Sequence, residues 1–209
     1  MSQTKVAVGM IDATSIGDAK LLQGDGAWVT PAVAGWAFVE AASPSGASTT
    51  TFSHTVAAGY DYILQCRDMI NAADIAYASG PRIRYGTGAT PTFQTSGYFN
   101  QIISLYGTTA NAKVNPGGTT GITILGDAGY GGSTANEPWD LTTLIKNPGA
   151  NERTYSYSNM FVVDSDGNQQ YTLAAGHRGD TAEVVTALQI VVLAGSYTGA
   201  MTLSRRTVA

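Results

Sequence analysis

The sequence predicts an all-β fold, a sandwich or barrel of short antiparallel strands, and three observations predict it. Apolar and polar residues alternate with period two in many short runs, the pattern of half-buried strands. Those runs are separated by Gly, Pro, Asn and Asp, residues that turn the chain. Charged residues make up only 12% of the chain against 44% hydrophobic, with 25 glycines and 11 tyrosines. An average soluble domain carries about a quarter charged residues, so the surface is unusually poor in charge, and tyrosine suits a pleated, half-buried surface.

In chain order, residues 1–35 differ from the rest. Their apolar residues are small, and Gly24-Asp25-Gly26 is a turn followed by Trp28, Pro31 and Gly35. They read as an extended arm that docks on another protein, or equally as an extra strand on their own domain. The second unit, residues 36–209, opens with Trp36–Glu40 and Thr49–Val56. The clearest strand follows: Tyr60, Tyr62, Leu64 and Cys66 share one face and Asp61, Gln65 and Arg67 the other. Ala72–Ala78 is alanine-rich but stops at Ser79-Gly80-Pro81, two helical turns at best. Arg82–Tyr85, Tyr98–Tyr106 and Gly121–Leu125 are further strands, and Gly107 to Glu137 is long and glycine-rich. Trp139–Lys146 has a helix-like opening at Asp140, yet Thr142-Thr143 and Asn147-Pro148 favour a strand, Leu141–Ile145, and a turn. Arg153–Val163, Gln169–Ala174, Val184–Leu193 and Ala200–Arg206 complete the set.

The uncharged run from Val184 to Leu203 matches a helical membrane span of about 20 residues in length. Its centre, Gly195-Ser196-Tyr197-Thr198-Gly199, is a turn between β-branched stretches, so it reads as two strands and a hairpin with no membrane insertion. The start, Met1 to Met10, is too weakly apolar for a signal peptide. A net charge of −4 argues against a phosphate-binding surface, hence no nucleic-acid partner. The single cysteine, Cys66, excludes an internal disulfide; at an apolar phase it reads as a core thiol.

Catalytic patterns are scarce. Only His54 and His177 are available to a histidine-based triad or metal site, and His54, in phase with Phe52, reads as a packed or edge residue. No nucleophile elbow or zinc-protease helix occurs. Carboxylate-only catalysis needs two acids across a cleft, and no pairing is legible among Glu137, Asp140, Asp180 and the other acids. Asp164-Ser165-Asp166-Gly167-Asn168 opens like a calcium loop, but the position that needs glutamate is Ala175, so it reads as a hairpin turn. Arg178-Gly179-Asp180 reads as a turn and not as an adhesion signal. Gly126-Asp127-Ala128-Gly129-Tyr130-Gly131-Gly132 lacks the lysine and helix of a phosphate loop and reads as a surface loop. Tyr130 and nearby Trp139 are the candidate ligand-binding residues, as aromatic faces on which a sugar ring stacks. The expectation is no catalytic residue, no metal ligand and no cofactor.

The order of these pieces resembles the jelly-roll β-sandwich domains of bacteriophage tail-fibre and other virion-surface proteins. The resemblance runs through Trp36-Ala37-Phe38-Val39, Thr51-Phe52-Ser53-His54, Tyr60-Asp61-Tyr62-Ile63-Leu64 and Arg82-Ile83-Arg84-Tyr85-Gly86-Thr87-Gly88. It continues in Phe93 to Tyr98, in Leu144-Ile145-Lys146-Asn147-Pro148, and in Thr186 to Ile190 followed by Gly199 to Leu203, which is similar to the family's terminal hairpin. The chain departs from the pattern where Leu203 leads into Ser204-Arg205-Arg206. The resemblance implies an antiparallel jelly-roll-like β-sandwich with an N-terminal arm. It further implies a non-enzymatic homotrimer on the virion surface, made in the host cytoplasm, that contacts capsid or tail proteins. With no shaft of repeats in the chain, capsid decoration is the first expectation. A tail-fibre or receptor-binding protein that recognises a host surface glycan is the alternative. A free carbohydrate-binding or hydrolytic β-sandwich is a third.

Overall fold

The computed structural model describes residues 21–22, 28–29, 35–73, 75–76, 79–125, 130–131, 137–163, 167–179 and 182–208. The chain divides into two compact units, Met1–Ala34 and Gly35–Ala209. In the first, β1 (Leu21–Leu22) pairs antiparallel with β2 (Trp28–Val29). The rest of the expected arm, its Gly24-Asp25-Gly26 turn included, lies outside the described residues.

The second unit is an antiparallel β-sandwich, and every regular element described in it is a strand. The outward run of the chain supplies β3 (Ala37–Ala42), β4 (Thr49–Thr51), β5 (Tyr60–Asn71) and β7 (Arg82–Thr87). The return supplies β11 (Ile122–Thr123), β13 (Trp139–Lys146), β16 (Val185–Val191) and β17 (Tyr197–Thr207). The four outward strands pair with the four returning ones in reverse order, β3 with β17, β4 with β16, β5 with β13 and β7 with β11. Two hairpin-forming pairs widen one sheet: β9 (Tyr98–Tyr106) with β10 (Thr109–Thr119), and β14 (Tyr155–Val163) with β15 (Gln169–Arg178). The larger sheet therefore runs β10-β9-β15-β14-β13-β5-β17-β3, and the smaller runs β11-β7-β16-β4 with β8 (Thr92–Phe93) also on β7. β6 (Ile75–Ala76) pairs with β12 (Tyr130–Gly131) apart from both.

The core lies between the sheets. Tyr62, Leu64 and Cys66 of β5 point into it, as alternation predicts, and meet Tyr85 and Leu188 from the smaller sheet. Each such side chain contributes about 1.5–3 kcal/mol by leaving water. Past Cys66 the phase of β5 slips, with Arg67 and Asp68 exposed and Met69 buried again. β5 carries one extra residue there relative to both neighbours, a β-bulge centred on Asp68 at φ 51°.

Two readings of the sequence need correction, and two stretches it left unassigned contain strands. Val184 to Leu203 does form two strands, but β16 and β17 are not a hairpin. The link around Gly195 carries the chain from the smaller sheet to the larger, and Tyr197 spans the gap with its hydroxyl donating to Ile190 O at 3.1 Å. Gly176 to Arg178 continue β15 against Asn100, Phe99 and Tyr98 instead of turning. Gly176 serves close approach, since a Cβ there would lie 2.7 Å from Ile122 Cγ2. The stretch after Gly107 opens with an eleven-residue strand, β10. Ile75–Ala76, in the alanine-rich segment, is a strand, not a helical turn. The Asp164–Asn168 segment does join a hairpin, with Val163 opposite Gln169 and Gly167 at φ 78°; residues 164–166 lie outside the described residues.

Candidate functional site

Strands β14, β15 and β9 carry polar side chains inward, beside Tyr98, Ile102, Met160, Val162 and Ala174, and large apolar side chains outward. Facing the smaller sheet are Ser156, Ser158, Thr172, Gln170, Asn100 and Ser104, all buried. Facing solvent are large apolar side chains in register across the sheet. One row reads Phe161, Tyr171, Leu105; the next reads Asn159, Leu173, Ile103. A third reads Tyr157, Ala175, Gln101, Val114, and the last Tyr155, His177, Phe99. No outward position of β14, β15, β9 or the described part of β10 holds Asp, Glu, Lys or Arg. Charge begins at the margins, where Asp140 lies beside Phe161 and Lys146 beside Tyr155.

The last two rows form a groove of about 310 Å³ lined by Phe99, Gln101, Val114, Tyr155, Tyr157 and His177. The Phe99 and His177 rings stack at 5.0 Å between centroids with 15° between planes, and Tyr155 meets His177 edge-on at 5.8 Å. Flat rings beside an amide side chain are the furniture of a site for an apolar or sugar-like ring. Nothing in the groove is a nucleophile held by a base. Two further depressions, of about 290 and 470 Å³, open on the same face around Phe161 and Tyr171.

Three titratable groups away from this face, Asp61, Glu40 and His54, are tied into the fold by hydrogen bonds. Asp61 is buried, with Lys146 Nζ on Oδ2, Arg206 Nη2 at 3.1 Å and the Asn147 amide donating to Oδ1 at 3.1 Å. Burial alone would raise its pKa. Lys146, the Asn147 amide and Arg206 outweigh it, so the carboxyl is held below its ordinary range. Glu40 accepts from the Ser53 and His54 amides at 3.0 and 2.8 Å and from the Ser53 hydroxyl at 3.0 Å. His54 Nε2 lies 3.3 Å from the Tyr62 hydroxyl, and burial, then Arg205, pulls its pKa down. It is a packed residue, as its phase with Phe52 predicts. Among the described residues no group of three or more His, Cys, Asp or Glu is placed to hold a metal.

Of the two aromatic residues singled out in the sequence, Trp139 is fully buried and donates from Nε1 to Asn71 Oδ1 at 3.1 Å. Its ring faces the core and not a sugar, because β13 is a central strand whose odd-numbered residues point inward. Tyr130 lies in β12 opposite Ala76. The remainder of its glycine-rich stretch lies outside the described residues apart from Gly131, as does Asp180. Asp140 accepts the Asp68 amide at 2.8 Å. The residues that line the groove were legible only as strands. Their signal was the opposition of Tyr155 and Tyr157 to Ser156 and Ser158, read backwards if apolar is assumed to mean inside. No protein-family model, curated protein or solved structure matches the chain.

Proposed function

We propose that this chain is a non-enzymatic structural protein of the bacteriophage particle surface, a capsid decoration protein that acts as a homotrimer. The observation that carries the reading is the reverse-order pairing of β3, β4, β5 and β7 with β17, β16, β13 and β11. Pairing of the outward and returning halves in two facing sheets supports the double Greek-key wiring expected of a jelly roll. That architecture recurs in viral capsid and lectin domains. Since a fold by itself carries no function, the motifs from Trp36 to Leu203 supply the virion assignment. A surface with few charges loses little hydration energy when covered, which suits a protein that lives against its neighbours.

Immunogold electron microscopy of particles, with antiserum against this chain, tests the reading. Gold spread over the heads supports it, and intact particles without gold sink it. The aromatic groove at Phe99, Tyr155 and His177 favours a second reading, a receptor-binding protein for a host glycan. Gold confined to fibre tips, with oligosaccharide binding lost in Tyr155→Ala, would establish that instead.

A further inference from the structure

We propose that the outer face of β14, β15, β9 and β10 is the seat of a second copy of this chain. The inference needs only the face itself and holds whether or not the virion reading does. Eight large apolar side chains on it, Leu105 and Val114 among them, are 39–63% exposed in the single chain. At about 150–250 Å² for a large side chain, they present roughly 700 Å² of surface, most of it apolar. A soluble monomer's largest apolar patch is about 300–600 Å², and one side of a standard protein interface buries about 800 Å². The face thus has the area of one half of a stable interface.

Its chemistry points to a like partner. With no charge across its width, it offers nothing to a basic or acidic partner and nothing that repels its own copy. Its polar groups, Asn159, Gln101 and His177, are donors and acceptors at once, so a copy satisfies them as well as any other protein. Lys146 and Asp140, at the two ends of β13 along one margin of the face, contribute the wetter rim that borders an interface core. The mixed inward face of the same strands adds to the argument. Six of the twelve inward positions of β9, β14 and β15 are given to polar side chains while large apolar ones point outward, so much of the apolar surface of these strands lies on the outer face. Seating a copy there also closes the aromatic groove, so self-association through this face and glycan binding in the groove exclude one another.

The test is the mass of the purified full chain at micromolar concentration, by light scattering. Leu173→Lys and Ile103→Lys put an ammonium on the paired central positions of the face, 43% and 55% exposed, where a lysine is free to reach solvent in a monomer. Val184→Lys, at a residue 43% exposed and away from these strands, is the control. The expected result is an integral multiple of the chain mass for the unmodified protein and Val184→Lys, falling to a single chain mass in each of the other two, with the β circular dichroism kept. Should either variant fail to fold, hydroxyl-radical footprinting of the unmodified protein decides. Tyr157 and Tyr171 should then be modified several-fold more slowly than Leu193, after correction for intrinsic reactivity. A single-chain mass for the unmodified protein overturns the proposal, as does a multimer that survives both lysines. So does a multimer that needs residues 1–34 while Tyr157 and Tyr171 stay open to radicals, or one that still binds oligosaccharide in the groove. A single-chain mass would remove the homotrimer of the proposed function as well, whereas a multimer that survives both lysines would sink this face alone, and gold labelling tests the virion assignment by itself.

Discussion

The Asp140 carboxylate accepts the backbone N–H of Asp68 at 2.8 Å, across the seam between β13 and β5. Asp68 sits in the left-handed region at φ 51°, where its amide has turned out of the strand ladder. Asp140, an acid for which the sequence shows no catalytic pairing, anchors a β-bulge. Asp140→Ala should cost about 1 kcal/mol, since the bond is charge-assisted but exposed. Asp140→Asn should recover most of it. Urea unfolding of the three proteins measures both, and equal midpoints would show that the bulge holds without its anchor.

Asp61 gives the fold a pH dependence. Its folded pKa lies below the unfolded value, so its contribution is fully present above the ordinary carboxyl range and is lost as pH falls through the folded pKa. Asp61→Asn should destabilise by about 2 kcal/mol at neutral pH. That is less than a sealed ion pair would give, because Lys146 and Arg206 remain 39% and 42% exposed. The gap between variant and parent should narrow below about pH 4 as the parent's carboxyl protonates. A gap that is constant down to acid-induced unfolding would mean that packing, not charge, is what the substitution removes.

Strand existence was widely legible in the sequence, and the sidedness of the strands was not. Tyr98–Tyr106 has the same bounds in sequence and structure because Tyr98, Asn100, Ile102 and Ser104 all point inward along an unbroken pleat. β5 was read only to Arg67 because a bulge resets the phase, and one extra residue looks like the end of a period-two pattern. Asp61 was read as outward from its charge, yet it is buried because Lys146 and Arg206, distant in sequence, converge on it. β10 was missed because an edge strand pairs on one side only, with β9, and its alanines Ala110 and Ala112 give no contrast between faces. The candidate face was missed for a related reason. Alternation says that two faces differ but does not say which of them is wet.

Cys66 should behave as a core residue and not as a reactive thiol. It is buried, and burial, with Asp140 adding to it, pushes the thiol far above its usual range, leaving almost no thiolate at neutral pH. Alkylation by iodoacetamide should run roughly a hundredfold slower in the native protein than in urea. Comparable rates would mean that β5 opens locally and that the centre of the larger sheet is not a stable unit.

Among the described residues, Gly149 is the glycine with the closest main-chain approach to a built Cβ. It follows Pro148 in the turn between β13 and β14, and a Cβ there would lie 2.2 Å from both Ala57 C and Ala58 N. Those are main-chain atoms that cannot rotate aside. The same turn is tied to the second sheet by the Val185 amide, which donates to Pro148 O at 2.9 Å. Gly149→Ala should therefore cost about 2 kcal/mol or more, read as a lower thermal midpoint. An unchanged midpoint would show that residues 57–58 and the turn move apart freely.

Ser104 tests the polar interior from the opposite direction. Its hydroxyl is buried and has no hydrogen-bond partner among the described residues, on a strand whose outward neighbours Ile103 and Leu105 are 55% and 50% exposed. Burying an unpaired hydroxyl costs about 1–3 kcal/mol. Ser104→Ala removes that cost and leaves a void of only one oxygen atom, so it should be neutral or stabilise by up to about 1 kcal/mol. Ser158→Ala is the contrast, because Ser158 Oγ lies 2.9 Å from Thr143 Oγ1 in a satisfied buried pair. It should lose about 1 kcal/mol. Opposite signs for two serines on the same inner face would tie the cost to hydrogen bonding and not to side-chain volume. Equal losses would mean that Ser104 is satisfied in solution and that the interior of β9 is as well matched as that of β14.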